Sequence, residues 1–306
     1  MIDSKKNTLI VIVGQTAIGK TALSIQLANY FNSDIISCDS RQFFKEMTIG
    51  TAVPDVTELA AAKHHFIQDR SIFDDYNVGQ FERDALKKLD ELFLKNPIQI
   101  MVGGSGLYID AVLKGLDYFP EVNPEIRKDL TKELEEKGIE SLQEKLKQLD
   151  LETYETIAID NPHRIMRALE ICIGTETPYS TFKNKAKEPR NFNVIKIGLT
   201  ADREILYNRI NKRVDVMLEN GLLEEAKNLH KNKNLNALQT VGYREIFAYF
   251  ESDFTKEFAI SEIKKNTRRF AKRQGTWFRK DEEIEWFDFE TSTKEIIKKI
   301  ENRMEK

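Results

Sequence analysis

A chain of 306 residues with 41% hydrophobic side chains can bury a full core, as one large domain or two modest ones. A formal net charge of −3 excludes a protein that is basic throughout and leaves room only for a local basic patch. The two cysteines, Cys38 and Cys172, lie far apart without ligand spacing, which argues against a disulfide framework or a zinc site and fits a reducing compartment.

The opening run "MIDSKKNTLIVIVG" is too short in apolar residues for a signal peptide before Gly14 interrupts it, and no later run reaches membrane-spanning length. The expectation is a soluble, cytoplasmic protein, and nothing in the sequence demands more than a monomer. Strand-like runs fall at Leu9–Val13, Ile35–Cys38, Ile98–Val102 and Val194–Leu199, with helical patterns between them, so the fold class is α/β with a parallel sheet covered on both faces. After the first strand, Ala22, Leu23, Leu27 and Phe31 recur at helical spacing, and Asn32–Ser33 ends that helix. Between about Asp117 and Arg190 the chain becomes densely charged. Ile126, Leu130 and Leu134 recur four apart, then Leu142, Leu146 and Leu149. Asn123–Pro124 and Asn161–Pro162 each pair an N-cap with a first-turn proline. We read 118–190 as a helical insertion into a core formed by 1–117 and 191–306. It is either a functional module or a set of solvated surface helices. The C-terminal part returns to a strand and then to helices.

Gly14-Gln15-Thr16-Ala17-Ile18-Gly19-Lys20-Thr21 matches G-x-x-x-x-G-K-[ST], and it follows an apolar strand and opens an amphipathic helix, as the mechanism of a phosphate cradle requires. Glycines let the backbone wrap phosphate oxygens, amides and the helix N-terminus supply positive potential, Lys20 adds a point charge and the Thr21 hydroxyl suits Mg²⁺. The motif does not say which phosphate it holds. Asp39 lies at the end of the second strand, where open α/β sheets place ligands. It is either a carboxylate that holds Mg²⁺ through water or a general base, and the local sequence leaves both open.

Seven segments, "GQTAIGKT", "DSRQ" with "MTIGTA", "HHFI", "VGGSGLYI", "HRIMRALEI", "QTVGYREI" and "AKRQGTWFR", run in order from residue 14 to residue 279. Together they resemble the bacterial tRNA dimethylallyltransferases, or isopentenyltransferases. The resemblance implies a P-loop kinase-like parallel sheet core with a helical insertion domain. The activity it implies moves a dimethylallyl group from dimethylallyl diphosphate to N6 of the adenine just 3′ of the anticodon in tRNA, with Mg²⁺ and release of pyrophosphate. Under that resemblance Asp39 is the base, while Lys20 and Thr21 stabilise the leaving group, Thr21 as metal ligand. The diphosphate is held by Gly14, Gln15, Thr16, Ala17, Ile18, Gly19, Lys20, Thr21 and Arg213, the last of which reads on pattern alone as a surface arginine just as well. The tRNA-contacting positions carried over are Asp39, Ser40, Arg41 and Gln42; Ser105 and Arg127; His163, Arg164, Ile165, Met166 and Arg167; and Gln239, Thr240, Val241, Gly242, Tyr243 and Arg244. Arg164 and Arg167 share a helix face and could track a phosphate backbone or simply be solvated.

The run "KKNTRRFAKRQGTWFRK" has eight Lys or Arg in seventeen residues and no acid. It reads as an RNA footprint, as a basic amphipathic helix packed by Phe270 and Trp277, or as both. The chain departs from the family pattern at Gln15, where proline is usual, at Ile18, where a small hydroxyl residue is usual, and at Val53, where lysine is common. His64 and His65 have no Cys or acid at ligand spacing and read as structural. The rival reading is a nucleotide or small-molecule kinase that binds ATP in the same loop.

Overall fold

The computed structural model describes residues 7–183 and 188–305. The chain divides into two compact units, residues 1–114 with 190–306, and residues 115–189.

In chain order the first unit opens with β1 (Thr8–Gly14), α1 (Lys20–Phe31), β2 (Ile35–Ser37), α2 (Val56–Ala61), β3 (His64–His65), α3 (Val78–Phe93), β4 (Ile98–Val102) and α4 (Gly106–Lys114). The second unit holds α5 (Pro124–Lys137), α6 (Ile139–Leu149), α7 (Leu151–Thr156) and α8 (Pro162–Thr175). The first unit resumes with β5 (Asn193–Thr200), α9 (Arg203–Glu219), α10 (Leu222–Leu229), α11 (Tyr243–Phe250), α12 (Lys256–Phe278), β6 (Glu285–Asp288) and α13 (Thr293–Met304).

The sheet is parallel throughout, in the order β3-β2-β4-β1-β5-β6. β1 is central and buried at every position, which is why it reads as a continuous apolar run rather than an alternating one. Its side chains still alternate between faces. Leu9, Val11 and Val13 pack with Phe81, Ala85 and Leu89 of α3, whereas Ile10 and Ile12 pack with Leu23 and Leu27 of α1. The four strands expected from the sequence are present, Ile98–Val102 with the expected ends and the other three shifted by one residue at one or both ends. The two edge strands, β3 and β6, escape that reading because one has two residues and the other carries Glu285 and Asp288 at its ends. A further core gathers the C-terminal helices through Val214, Leu222, Leu238, Tyr243, Ile246 and Ile263.

Within α1 the buried stripe is Leu23, Ser24, Leu27 and Ala28, and Ala22 is exposed, contrary to its place in the sequence pattern. The helix ends as expected on Asn32, which adopts the left-handed conformation at φ 52°. In the second unit Asn123 and Asn161 cap α5 and α8, each with proline in the first turn. Leu130, Leu142 and Leu146 pack against Ile165, Met166 and Leu169 of α8. Leu149 does not join them. It is the last residue of α6, 42% exposed. This contrast gives a stability test. Leu146→Ala should destabilise the protein by about 2–5 kcal/mol through lost burial and a cavity, and Leu149→Ala by less than about 1 kcal/mol, as read from urea unfolding.

Candidate functional site

The chain's phosphate-loop motif folds as a turn between β1 and α1 at the carboxyl edge of the sheet. Gly14 has φ +146°, and a Cβ built there would lie 2.8 Å from the Leu199 carbonyl, so the loop can pass β5 only without a side chain at its first position. Ile18 is buried beneath the loop, in the core shared with Leu23 and Leu27, and anchors it. Its side chain therefore faces away from any anion, which removes it from the side-chain contacts expected of the loop. Gln15 also turns away, donating from Nε2 to the Ala271 carbonyl of α12 at 3.1 Å. Arg209 donates from Nε to the Ala17 carbonyl at 2.8 Å.

The cavity beside this loop has a volume of about 540 Å³. Thr16, Lys20, Thr21, Asp39 and Arg213 line it together. Lys20 Nζ donates to the Gln15 carbonyl at 2.8 Å, and Arg213 Nη1 donates to Thr16 Oγ1 at 3.2 Å. Arg213, which the pattern alone could not distinguish from a surface arginine, thus reaches the phosphate loop from α9. Burial lowers the Lys20 pKa to about 8, against the attraction of Asp39 and reinforced by Arg213. Burial also pushes the Asp39 carboxyl up, opposed by the Arg41 amide and by the charges of Lys20, Arg213 and Arg41. Arg213 is itself held below its usual value, again chiefly by burial. Among the described residues there is no cluster of three or more His, Cys, Asp or Glu able to hold a metal ion alone.

The positions after β2 meet the same cavity. The Arg41 amide donates to Asp39 Oδ1 at 3.2 Å, and the Arg41 guanidinium donates to the Asn236 and Ala237 carbonyls, each at 2.9 Å. Gln42 donates from Nε2 to the Thr51 and Ala52 carbonyls at 3.2 and 2.9 Å. Ser40 donates its amide to Ser105 Oγ at 3.2 Å. Gln239, Thr240, Val241, Gly242 and Arg244 line the opening from the segment that leads into α11. Tyr243 does not. Its ring is fully buried, and its hydroxyl donates to Glu225 Oε1 at 2.6 Å, so its side chain is core and cannot meet RNA.

Arg127 and His163 to Arg167 belong to the second unit. His163, Arg164 and Arg167 are exposed there, while Ile165 and Met166 are core residues of the unit and offer no side chain to a ligand. Arg127 and Arg167 converge on the buried carboxylate of Glu170, at 2.7 and 3.4 Å.

Sequence reasoning missed several lining residues. His64 is one: its Nδ1 lies 2.8 Å from the Ala62 carbonyl, so Nδ1 donates, and Nε2 is left as a buried acceptor with no hydrogen-bond partner. His65 is structural as expected, with Nε2 2.8 Å from Asp34 Oδ2. The basic helix α12 contributes Ile263, Thr267, Phe270, Arg273, Gln274 and Trp277 to the cavity. Of the readings left open for this helix, packing by Phe270 and Trp277 is not the one found: they are 39% and 43% exposed, and the buried stripe is Ala271, Gln274, Gly275 and Phe278. The 271-274-275-278 spacing was the available signal, obscured because one member is a glutamine. Of the eight basic residues, Lys264 pairs with Asp215 and Lys265 with Glu262, whereas Arg269, Lys272, Arg273, Arg279 and Lys280 are exposed.

An anion entering this cavity meets Lys20 in its protonated form below about pH 8 and in its neutral form above. Inorganic pyrophosphate affinity should therefore fall as pH rises through about 8, measured by calorimetry. Lys20→Arg, which keeps its charge, should lack that break.

The chain matches the family model described as IPP transferase over residues 42–281. It is 61% identical over 304 residues to a tRNA dimethylallyltransferase of Flavobacterium psychrophilum, covering 97% of this chain and 99% of the relative, and 62% identical over 298 residues to one of Christiangramia forsetii, with the same coverage. Among solved structures, the full-length tRNA isopentenylpyrophosphate transferase of Bacillus halodurans superposes with a TM-score of 0.73 at 35% identity, covering 98% of this chain and 97% of the other. A eukaryotic dimethylallyltransferase acting on tRNA superposes with a TM-score of 0.78 at 26% identity, over 92% of this chain and 74% of the other. With a parallel sheet, a glycine-lysine loop at its carboxyl edge and relatives matched over almost their full length, this chain belongs to the IPP transferase family.

Proposed function

We propose that the protein transfers the dimethylallyl group of dimethylallyl diphosphate to N6 of the adenine 3′ of the anticodon in tRNA and releases pyrophosphate. The observation that carries this reading is one cavity with three chemistries: cations at the phosphate loop, a carboxylate at Asp39, and an apolar wall from Val214, Met217, Leu222 and Ile263. An apolar wall suits a prenyl chain, and the relatives described above are named tRNA dimethylallyltransferases.

The exocyclic amine of adenine is a weak nucleophile because its lone pair is delocalised into the ring. As the N6–carbon bond forms, the allylic carbon–oxygen bond breaks and its electron pair departs on the diphosphate. One N6 proton passes to the Asp39 carboxylate. Burial makes this carboxylate a stronger base than an exposed one, and the neighbouring cations oppose that rise. Lys20 and Arg213 face the charge that builds on the leaving group, where a preorganised site stabilises it most. Mg²⁺ suits the donor set. Thr21 offers a hydroxyl, and this ion keeps several waters and is held largely through substrate phosphates. When bound, it would neutralise diphosphate charge.

The RNA is read in this proposal by Ser40, Arg41, Gln42, Ser105, Gln239 to Gly242 and Arg244 around the cavity. The exposed arginines and lysines of α12, with Arg127, Arg164 and Arg167 of the second unit, meet phosphates. The target base must leave its stack to enter the cavity. The same reading makes the protein a cytoplasmic monomer; among the described residues no helix is long and apolar enough to cross a membrane.

Offered dimethylallyl diphosphate, ATP and unmodified tRNA, the protein should move label only from the prenyl donor to the RNA; phosphoryl transfer without prenylation would reverse the assignment. Asp39→Ala should lower kcat by roughly 10²–10⁴-fold while tRNA affinity changes little. tRNA affinity should fall with salt with a log–log slope of roughly −0.7 per single-strand phosphate contact.

A further inference from the structure

Helix α12 buries Ala271, Gln274, Gly275 and Phe278 at the i, i+3, i+4, i+7 spacing of a helix's inner face. Three of these are small or apolar. Gln274 is neither, yet it is only 6% exposed. A buried amide is costly unless both its ends are bonded, and here both are. Its Oε1 accepts from the Thr16 amide at 2.8 Å, and its Nε2 donates to the Gly104 carbonyl at 3.0 Å. From the other side, Gln15 donates to the Ala271 carbonyl one turn earlier on the same helix. Two glutamines thus cross between the phosphate loop and α12 in opposite directions.

Thr16 and Gln15 are the loop residues against which the two cations rest. Arg213 holds Thr16 Oγ1, and Lys20 holds the Gln15 carbonyl. Gly104 lies in the turn after β4, which also borders the cavity. The Thr16 amide is committed to Gln274 and is not free for an anion. A neutral amide of this reach can accept from an N–H and donate to a carbonyl at once; a leucine does neither, and an ionised glutamate cannot donate.

We infer that Gln274 is a positioning residue for the diphosphate: it ties the loop at Thr16 and the β4–α4 turn at Gly104 to the helix that carries the exposed basic residues, and so fixes where Lys20 and Arg213 meet the anion. The inference rests on the diphosphate reading of the loop. It assigns the anion to the side chains and the amides nearer the helix start, without the Thr16 amide.

The test compares the wild-type protein with Gln274→Leu and Gln274→Met, which fill the same space without the bonds. Calorimetry is run with inorganic pyrophosphate plus Mg²⁺ and, separately, with anticodon stem-loop RNA. The expected result is pyrophosphate binding weakened by about tenfold or more, since small misplacements of a binding group carry such penalties, with RNA affinity within about threefold of wild type. Unchanged pyrophosphate affinity in a folded variant overturns the inference, as does equal loss of both ligands. If neither variant folds, hydrogen exchange on the wild type decides. The Thr16 amide should exchange as slowly as the centre of α12 without any ligand, and rapid exchange would refute the tether. Wild-type protein that binds no pyrophosphate, with Thr16 still protected, would sink the diphosphate reading and leave the tether standing.

Discussion

Placing two cations and a carboxylate in one partly enclosed cavity is the constraint around which the rest is arranged. For Lys20, Asp39 and Arg213 alike, burial is the largest influence on the pKa, and for each it disfavours the charged form. Asp39 favours the charged form of both cations, whereas Arg213 works against that of Lys20. The trio carries one more positive than negative charge, so it attracts a diphosphate but does not neutralise it, and a bound Mg²⁺ would offset the remainder. A carboxylate that is to take a proton must not be over-stabilised by the cations that hold the leaving group. Its raised pKa says that desolvation outweighs those cations here.

Strand order makes this geometry hard to reach. Lys20 follows β1 and Asp39 follows β2, yet β4 lies between those strands. The two segments can converge only if the turn after β4 stays out of the way. A Cβ on Gly103 would sit 2.2 Å from the Cys38 carbonyl, so the chain passes there without a side chain. Further out, Glu225 braces the cavity wall by accepting from the Thr48, Ile49 and Gly50 amides and from the Tyr243 hydroxyl. That loop in turn supplies the Thr51 and Ala52 carbonyls that orient Gln42. Tyr243 serves the site from within the core, by fixing a carboxylate that fixes a loop.

The central strands, the helix caps and the phosphate loop were legible because each rests on local chemistry: a doubly buried strand reads as an apolar run, and Asn123–Pro124 and Asn161–Pro162 each supply a cap and a first-turn proline. Ala22 and Leu149 were misjudged because hydrophobicity says a residue can be buried, whereas exposure is set by what packs alongside. Contacts between residues distant in sequence left no such trace. Gln274 meets Thr16 across 258 positions, and neither residue announces the other. Ile165, Met166 and Tyr243 show the reverse limit. A segment carried over whole from a family includes core residues that hold the contacting ones in place.

The departures at Gln15 and Ile18 follow from the same tether. Proline at position 15 would stiffen the loop by fixing its backbone, with no side-chain hydrogen bond to a neighbour. Gln15 instead steadies the loop from outside, through its bond to the Ala271 carbonyl, and Gly275 leaves its side chain room against the helix. Ile18 gives up a hydroxyl that could have met phosphate and gains full burial in the core under the loop. Both changes move the loop's rigidity from its own backbone to its surroundings. A loop held by its neighbours presents Lys20 in a fixed place only while α12 is in place, so in this protein the anion site and the basic helix form one mechanical unit.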